Sequence, residues 1–332
     1  MTHQRLRTSL LVAFASALVL ALGACGSSST KKTSSTPPGS SAGAAGSSAS
    51  LIKANPANAK VTLTIGSKDF TEEFILGNIY AQALKAAGYN VKTQLNLGSE
   101  QIAFKALKQG TVDAYPEYTG TALTSFFNVK VAAVPKTNQA AYTLAKADYA
   151  KQGLTALSPS PFSDGEGLAV TKAEARKLGN VTTLSEFAAK SKGLTDTGAP
   201  ECRQRVDCLV GLRQVYHVQF NFKPVSIATF YPALDSGQAQ SSEVFTTDGP
   251  LSTGKYVLLK DDKMLFPPDN VSLVVRNAAL KRAGPDLPAV VEQVQRGLTG
   301  PAMQELNARV TLKKETPAAV ASAYLKESGY TK

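Results

Sequence analysis

The sequence predicts an α/β protein made of two similar lobes, each a parallel sheet covered by helices. Three observations carry this. Residues 61 to 115 run strand, helix, strand, helix, strand, the rhythm of a parallel sheet with helices on its faces. A second strand and helix series begins at Gly167. A short internal echo links the two. Ala106-Leu107-Lys108-Gln109-Gly110 precedes a strand and then Glu117-Tyr118-Thr119-Gly120, while Ala233-Leu234-Asp235-Ser236-Gly237 precedes a strand and then Phe245-Thr246-Thr247-Asp248-Gly249. Two similar lobes produce such an echo.

The elements follow in order. Arg5 and Arg7 precede an apolar run from Leu10 to Leu22 that ends in Leu22-Gly23-Ala24-Cys25. This is the layout of a signal peptide, residues 1–24. The run is too short for a comfortable membrane span, which needs ~20 apolar residues. Leu-Gly-Ala-Cys looks like a bacterial lipobox, in which Cys25 becomes the first mature residue and carries a lipid. Residues 25–57 then read as a tether. Up to Ser50 it is built from Ser, Gly, Ala, Thr and Pro with two lysines, too little apolar surface to offset its ordering entropy.

Val61 to Ile65 alternates and ends in Gly66, a strand and a turn. Thr71 is expected to cap a helix with Glu72 and Glu73 in its first turn, where carboxylates suit the dipole. Ile75, Leu76, Ile79, Ala83, Leu84 and Ala87 form its buried face, and Gly88 stops it. Val91 to Leu97 is a second strand, with Val91, Thr93, Leu95 and Leu97 on one side. A helix runs from Ser99 to Gly110, and Val112 to Tyr115 is a third strand. In the second series Gly167 to Thr171 is a strand. Thr183-Leu184-Ser185-Glu186 is a capping box, and Leu209 to His217 is helical.

Ligands of open α/β sheets sit beyond the carboxyl ends of the strands. Ser67 to Phe70, Glu117 to Thr121 and Thr246 to Gly249 each follow a strand there. Three helix N-termini would face one cleft, with N–H groups suited to an anion.

Composition excludes other classes. The formal charge is +11, or +9 once Arg5 and Arg7 are removed. The basic residues are scattered and not interleaved with stacking aromatics, so nucleic acid is not an expected partner. Beyond the signal peptide there is one histidine, His217. No metal cluster and no Ser-His-Asp or Cys-His set can be assembled, so no enzyme, cofactor or metal is expected. Gly39 to Gly43 matches Gly-x-Ser-x-Gly, but in the tether, where no strand-to-helix elbow can form. Gly249 to Lys255 has phosphate-loop spacing, yet Tyr256 stands where Ser or Thr should hold magnesium. Cys202 and Cys208, left after Cys25 and exported to an oxidising compartment, predict a disulfide.

At Ser67-Lys68-Asp69-Phe70-Thr71-Glu72-Glu73 and Tyr115-Pro116-Glu117-Tyr118-Thr119-Gly120-Thr121 the chain resembles the osmoprotectant-binding proteins of ATP-driven (ABC) importers, which bind glycine betaine, carnitine, choline or related quaternary amines. The resemblance continues through Asn96-Leu97-Gly98-Ser99, Thr246-Thr247-Asp248-Gly249, Phe266-Pro267-Pro268 and Met303-Gln304-Glu305-Leu306-Asn307. It implies a two-lobed periplasmic-binding-protein-like fold of type II with two hinge crossings, near Ser163 to Gly167 and Pro267 to Val271. The first lobe would take residues 58–163 and 269–332, and the second 164–268.

By the same resemblance Lys68, Thr121 and Arg205 hold the ligand's carboxylate. Its quaternary ammonium belongs in a box of tyrosines, whose ring faces attract a weakly hydrated cation. Tyr118 matches one wall. Glu166, Phe245 and Asp269 stand where the other rings belong, and Asp164 falls at the first crossing near the cation. A ligand bringing an ammonium or hydroxyls would satisfy Glu166 and Asp269, and a trimethylammonium would use them less well. The expected protein is a monomeric lipoprotein on the outer face of the cell membrane that passes a small molecule to importer permease subunits. The alternatives are a changed ligand, a primary amine or hydroxyl-rich compound, and a sensor lipoprotein without transport.

Overall fold

The computed structural model describes residues 50–332. The signal peptide, Cys25 and the tether up to residue 49 lie outside the described residues.

The first sheet is assembled from both ends of the described chain. Its strands are β1 (Thr62–Gly66), β2 (Asn90–Gln94), β3 (Ala114–Tyr118) and β4 (Leu154–Ala156), joined from the far end of the chain by β10 (Val271–Arg276). Their order is β2-β1-β3-β10-β4, with β1, β2 and β3 parallel and β10 antiparallel to β3 and β4. Helices α1 (Thr71–Ala86), α2 (Glu100–Gln109), α3 (Thr119–Ser125) and α4 (Asn138–Ala150) belong to the first pass. The second sheet holds β5 (Glu166–Thr171), β6 (Thr195–Gly198), β7 (Asn221–Pro224), β8 (Ser241–Phe245) and β9 (Tyr256–Leu258). Their order is β7-β6-β8-β5-β9, again with three parallel strands followed by one strand antiparallel to both its neighbours. Helices α5 (Lys172–Lys177), α6 (Leu184–Ala188), α7 (Leu209–Gly211) and α8 (Phe230–Asp235) accompany it. The returning chain ends in α9 (Asn277–Ala283), α10 (Asp286–Gln295), α11 (Gly300–Thr311) and α12 (Pro317–Glu327).

Each sheet has its own core. Along β10 the side chains alternate, as strand geometry requires. Leu273 and Val275 join the cluster under α1 and α12, and Val274 joins the one under α2 and α4. Leu168 and Val170 of β5 pack with Phe187, Leu212 and Phe220 in the second sheet's main cluster. The chain crosses between sheets twice, after β4 and before β10. The two crossings are bound together: Ser163 bridges Asn270, and the Asp164 N–H donates to the Asp269 carbonyl at 3.0 Å.

Local readings diverge from the structure in instructive places. The folded body starts before residue 58. The Ile52 N–H donates to the Tyr330 carbonyl, and Asn55 and Asn58 both donate to Asp286. No periodicity announces such a segment, because backbone and amide groups hold it. Thr71 is the first residue of α1, not its cap; Phe70 takes the cap position with no side-chain bond. Instead Glu73 reaches back to accept the Lys68 N–H at 2.9 Å. Strand β2 stops at Gln94, because Asn96 and Gly98 take positive φ. Strand β3 runs on to Tyr118, past Pro116, a residue that argues against a central strand. It is tolerated because β3 pairs with β1 at Ala114 alone, so the missing N–H faces no ladder partner. The capping box at Thr183 and Glu186 forms as predicted. Residues 212–216 complete the Leu209 helix as a π turn, and His217 closes it at φ 59°.

Candidate ligand-binding cleft

The site grows from the strand ends. Lys68 stands two residues beyond β1, and Tyr118 ends β3. From the second sheet come Glu166, which begins β5, and Phe245, which ends β8. The two crossings supply Asp164 and Asp269. All eight residues singled out in the sequence, Lys68, Tyr118, Thr121, Asp164, Glu166, Arg205, Phe245 and Asp269, line one pocket between the sheets. The free space among them is about 40 Å³, room for about three water molecules.

Both cations of this small pocket are paired with carboxylates. Lys68, 4 % exposed, donates from its ammonium to Glu117 at 2.7 Å, and the same nitrogen lies 3.9 Å from Glu73. It also sits 4.3 Å from the centre of the Tyr118 ring and 5.5 Å from that of Phe70. Burial works against this charge, but Glu117 and Glu73 outweigh it and hold Lys68 above the ordinary lysine value. Arg205 grips Asp207 with two hydrogen bonds of 3.0 Å and meets Glu166 at 2.5 Å. The Glu166 contact is an ion pair without an aligned hydrogen bond, and neither of its oxygens has a hydrogen-bond partner. Burial pushes Glu166 well above the ordinary carboxyl value, with Arg205 pulling the other way.

Asp269 has a different occupation. Its carboxylate accepts the Gly120 N–H at 2.5 Å, the Thr121 N–H at 3.2 Å and the Thr121 hydroxyl at 3.1 Å. The helix N-terminus read as a seat for a ligand's anion thus receives an anion of the protein itself. Burial raises Asp269 to about 7, against the bond from Thr121. Gly120 is required there, since a Cβ would lie 2.7 Å from the Pro267 ring.

The sheets meet across this pocket. Phe70 stacks on Phe245 with centroids 5.2 Å apart. Glu72 accepts the Thr247 hydroxyl at 2.5 Å, the Asn307 amide at 2.7 Å and, on its other oxygen, the Tyr118 hydroxyl at 2.8 Å. Burial raises Glu72, and these three donors moderate the rise. Thr124 of α3 donates to Asp207 at 2.6 Å. The two sheets are therefore in direct contact across the cleft.

Four functional neighbours escaped the sequence reading: Phe70, Glu72, Glu117 and Asp207. Phe70, Glu72 and Glu117 lie inside the quoted motifs, and the signal for Phe70 and Glu117 was available. A lysine destined for burial needs a carboxylate nearby, and Phe70 is the ring closest to Lys68 in sequence. Around two cations, Lys68 and Arg205, the cleft gathers nine buried carboxyl groups: Glu72, Glu73, Glu100, Glu117, Asp164, Glu166, Asp207, Glu243 and Asp269. Cys202 and Cys208 are bonded, their Cα atoms 5.3 Å apart, and the short loop they close carries Arg205.

Two sheets of one plan, two crossings and a buried polar pocket between them define a periplasmic-binding-protein fold of type II. The chain belongs to the family of the substrate binding domain of the ABC-type glycine betaine transport system, whose profile matches residues 61–327. It is 35 % identical over 291 residues to a glycine-betaine-binding protein of Pseudomonas aeruginosa, covering 84 % of this chain and 91 % of that one. It is 29 % identical to an ergothioneine transport permease/ergothioneine binding protein of Helicobacter pylori, covering 85 % of this chain and 50 % of that one. Among solved structures it resembles a glycine betaine/carnitine/choline ABC transporter protein, with a TM-score of 0.65, 26 % identity, and 80 % of this chain and 97 % of that one covered. This is a family of substrate-binding proteins, not of enzymes. Among the described residues no helix is long and apolar enough to cross a membrane.

Proposed function

We propose that this chain is the extracytoplasmic solute receptor of an ABC importer. It is held at the membrane as a monomer by a lipid on Cys25, and it delivers a betaine-type quaternary amine to the permease subunits unchanged. One observation carries the ligand class: the rings of Tyr118 and Phe70 already hold an ammonium, that of Lys68. A ligand cation would take this seat, an exchange of one charge for another on the same ring faces. Its carboxylate would then draw on Lys68, Thr121 and Arg205. The space of about 40 Å³ is too small for such a ligand, so entry requires the sheets to part about the crossings at 163–167 and 267–271. Ligand contacts to both sheets favour reclosure.

A second reading, a primary amine or hydroxyl-rich ligand, draws on Glu166, whose two buried oxygens lack hydrogen-bond partners. An N–H or O–H donor would serve them, and a methylated nitrogen would not.

Calorimetry and thermal shift of the mature protein against glycine betaine, carnitine, choline and their unmethylated counterparts decide between them. A bound betaine at 100 times its Kd should add about 2.7 kcal/mol of stability. Tyr118→Leu should weaken it about tenfold, at the upper end of a cation–π contact. Binding confined to the unmethylated compounds would establish the second reading, and a panel without any ligand would overturn both.

A further inference from the structure

Next to the small pocket lies a much larger chamber of about 730 Å³. The stacked rings of Phe70 and Phe245 belong to the walls of both. The chamber also lies between the sheets, with α1 and α11 on one side and the α8 and β8 ends on the other. Its volume is that of a site for a ligand well above betaine size.

Its inner end offers acceptors in excess of donors. Asp248 uses a single oxygen, Oδ2, for both the Tyr231 hydroxyl at 2.9 Å and the Phe245 N–H at 3.0 Å. Asp164 likewise uses Oδ1 for the Thr246 hydroxyl at 3.2 Å and the Thr247 N–H at 3.0 Å. Asn307, 2 % exposed, spends its amide hydrogens on Glu72 and the Thr247 carbonyl. Its carbonyl oxygen is buried without a partner. The acceptors within a ligand donor's reach are the second oxygens of Asp248 and Asp164, which no protein donor occupies. The walls are aromatic: beside Phe70 and Phe245 stand Tyr231 and Tyr256, edge to face at 4.9 Å. The rim is basic, with exposed Lys255, which pairs with Asp235 at 2.7 Å, and exposed Lys314.

We propose that this chamber is a second ligand site, for an organic ammonium compound that keeps at least one N–H and carries an aromatic or other apolar body. The leftover acceptors demand N–H donors, which a trimethylated nitrogen lacks. The rings take the body, and their faces favour the cation. The rim lysines disfavour a second positive charge, so a monoamine suits better than a diamine. The inference rests on the chain being a solute receptor, but not on which ligand the small pocket takes.

Phenethylamine and its N,N,N-trimethyl derivative are the probes, titrated by calorimetry into the whole mature protein beside glycine betaine. Phenethylamine should bind the wild type, and the trimethyl derivative roughly tenfold or more weakly. Asp248→Asn should weaken phenethylamine about tenfold. Leu312→Trp, a change at a rim residue 45 % exposed, should block it. Thr121→Val, which alters only the small pocket, should weaken glycine betaine and spare phenethylamine. If glycine betaine fails to bind while phenethylamine behaves as stated, the chamber stands and the ligand assigned to the small pocket falls. The proposal is overturned if phenethylamine does not bind, if trimethylation costs nothing, or if Thr121→Val weakens it while Asp248→Asn and Leu312→Trp do not.

Discussion

The ends of β3 and β8 occupy equivalent places in two sheets of one strand plan, and they are chemically unlike. Each strand follows a helix closed by glycine, Gly110 or Gly237, and ends eight residues later in a ring, Tyr118 or Phe245. One residue earlier the first sheet has Glu117, 1 % exposed, where the second has Val244, 0 % exposed. Glu117 anchors Lys68 at the end of neighbouring β1. At the matching end of β6 the second sheet has Ala199 and no cation. Its cation, Arg205, arrives on the loop closed by Cys202–Cys208. One frame thus supplies both rings, and two different devices supply the charges. The first is anchored on a strand residue, Glu117 of β3. The second hangs on a staple.

The largest way to break this contrast is Lys68→Ala. It strands Glu117 in the core with only the Tyr115 hydroxyl and the Tyr118 N–H for partners. Removing one member of a buried pair costs about 3–5 kcal/mol. Urea unfolding should show the midpoint falling with the slope unchanged. A loss under about 1 kcal/mol would mean that the first cation is not anchored as argued.

A smaller effect is expected from Cys202→Ser with Cys208→Ser. A loop this short should contribute about 2 kcal/mol through the unfolded chain. Ligand affinity should fall as well, since Arg205 loses its mooring. Lys68 chemistry should be untouched, so carboxylate-free amines should keep their affinity. Equal loss for amines with and without a carboxylate would contradict the division of labour between the two cations.

The smallest effect sharpens the contrast between the two acids that replace tyrosines. Asp269→Tyr removes the acceptor from the first N–H groups of α3, a cap worth about 1 kcal/mol, and should not improve glycine betaine. Glu166→Tyr leaves Arg205 with Asp207 and adds a ring face. It should raise glycine betaine affinity by about 0.5–1 kcal/mol. Comparable improvement from both changes would show that Asp269 belongs to the ligand, not to the helix.

Much of this was legible in the chain itself. The alternation in β1, the apolar stripe of α1 and the capping box at Thr183 depend on neighbours in sequence, and they read correctly. The echo between residues 106–120 and 233–249 marked the equivalence of β3 and β8, because equivalent turns in similar sheets ask for similar residues. Eight residues of the pocket were nameable from the sequence: Lys68, Tyr118 and Thr121 inside the quoted motifs, the others by their position in the wider resemblance. What each of them touches was not. Pro116 hid the length of β3, since only the sheet reveals that its missing N–H faces no strand. Glu166 and Asp269 looked like one substitution made twice, two rings exchanged for two acids. Folding brought one beside Arg205 and the other to the N-terminus of α3, from residues 39 and 148 positions away. A sequence states which charges a cleft contains. Which of them neutralise each other depends on distances of a few ångströms between distant segments, and in a buried site those distances set both the energy of a charge and whether it is free to meet a ligand.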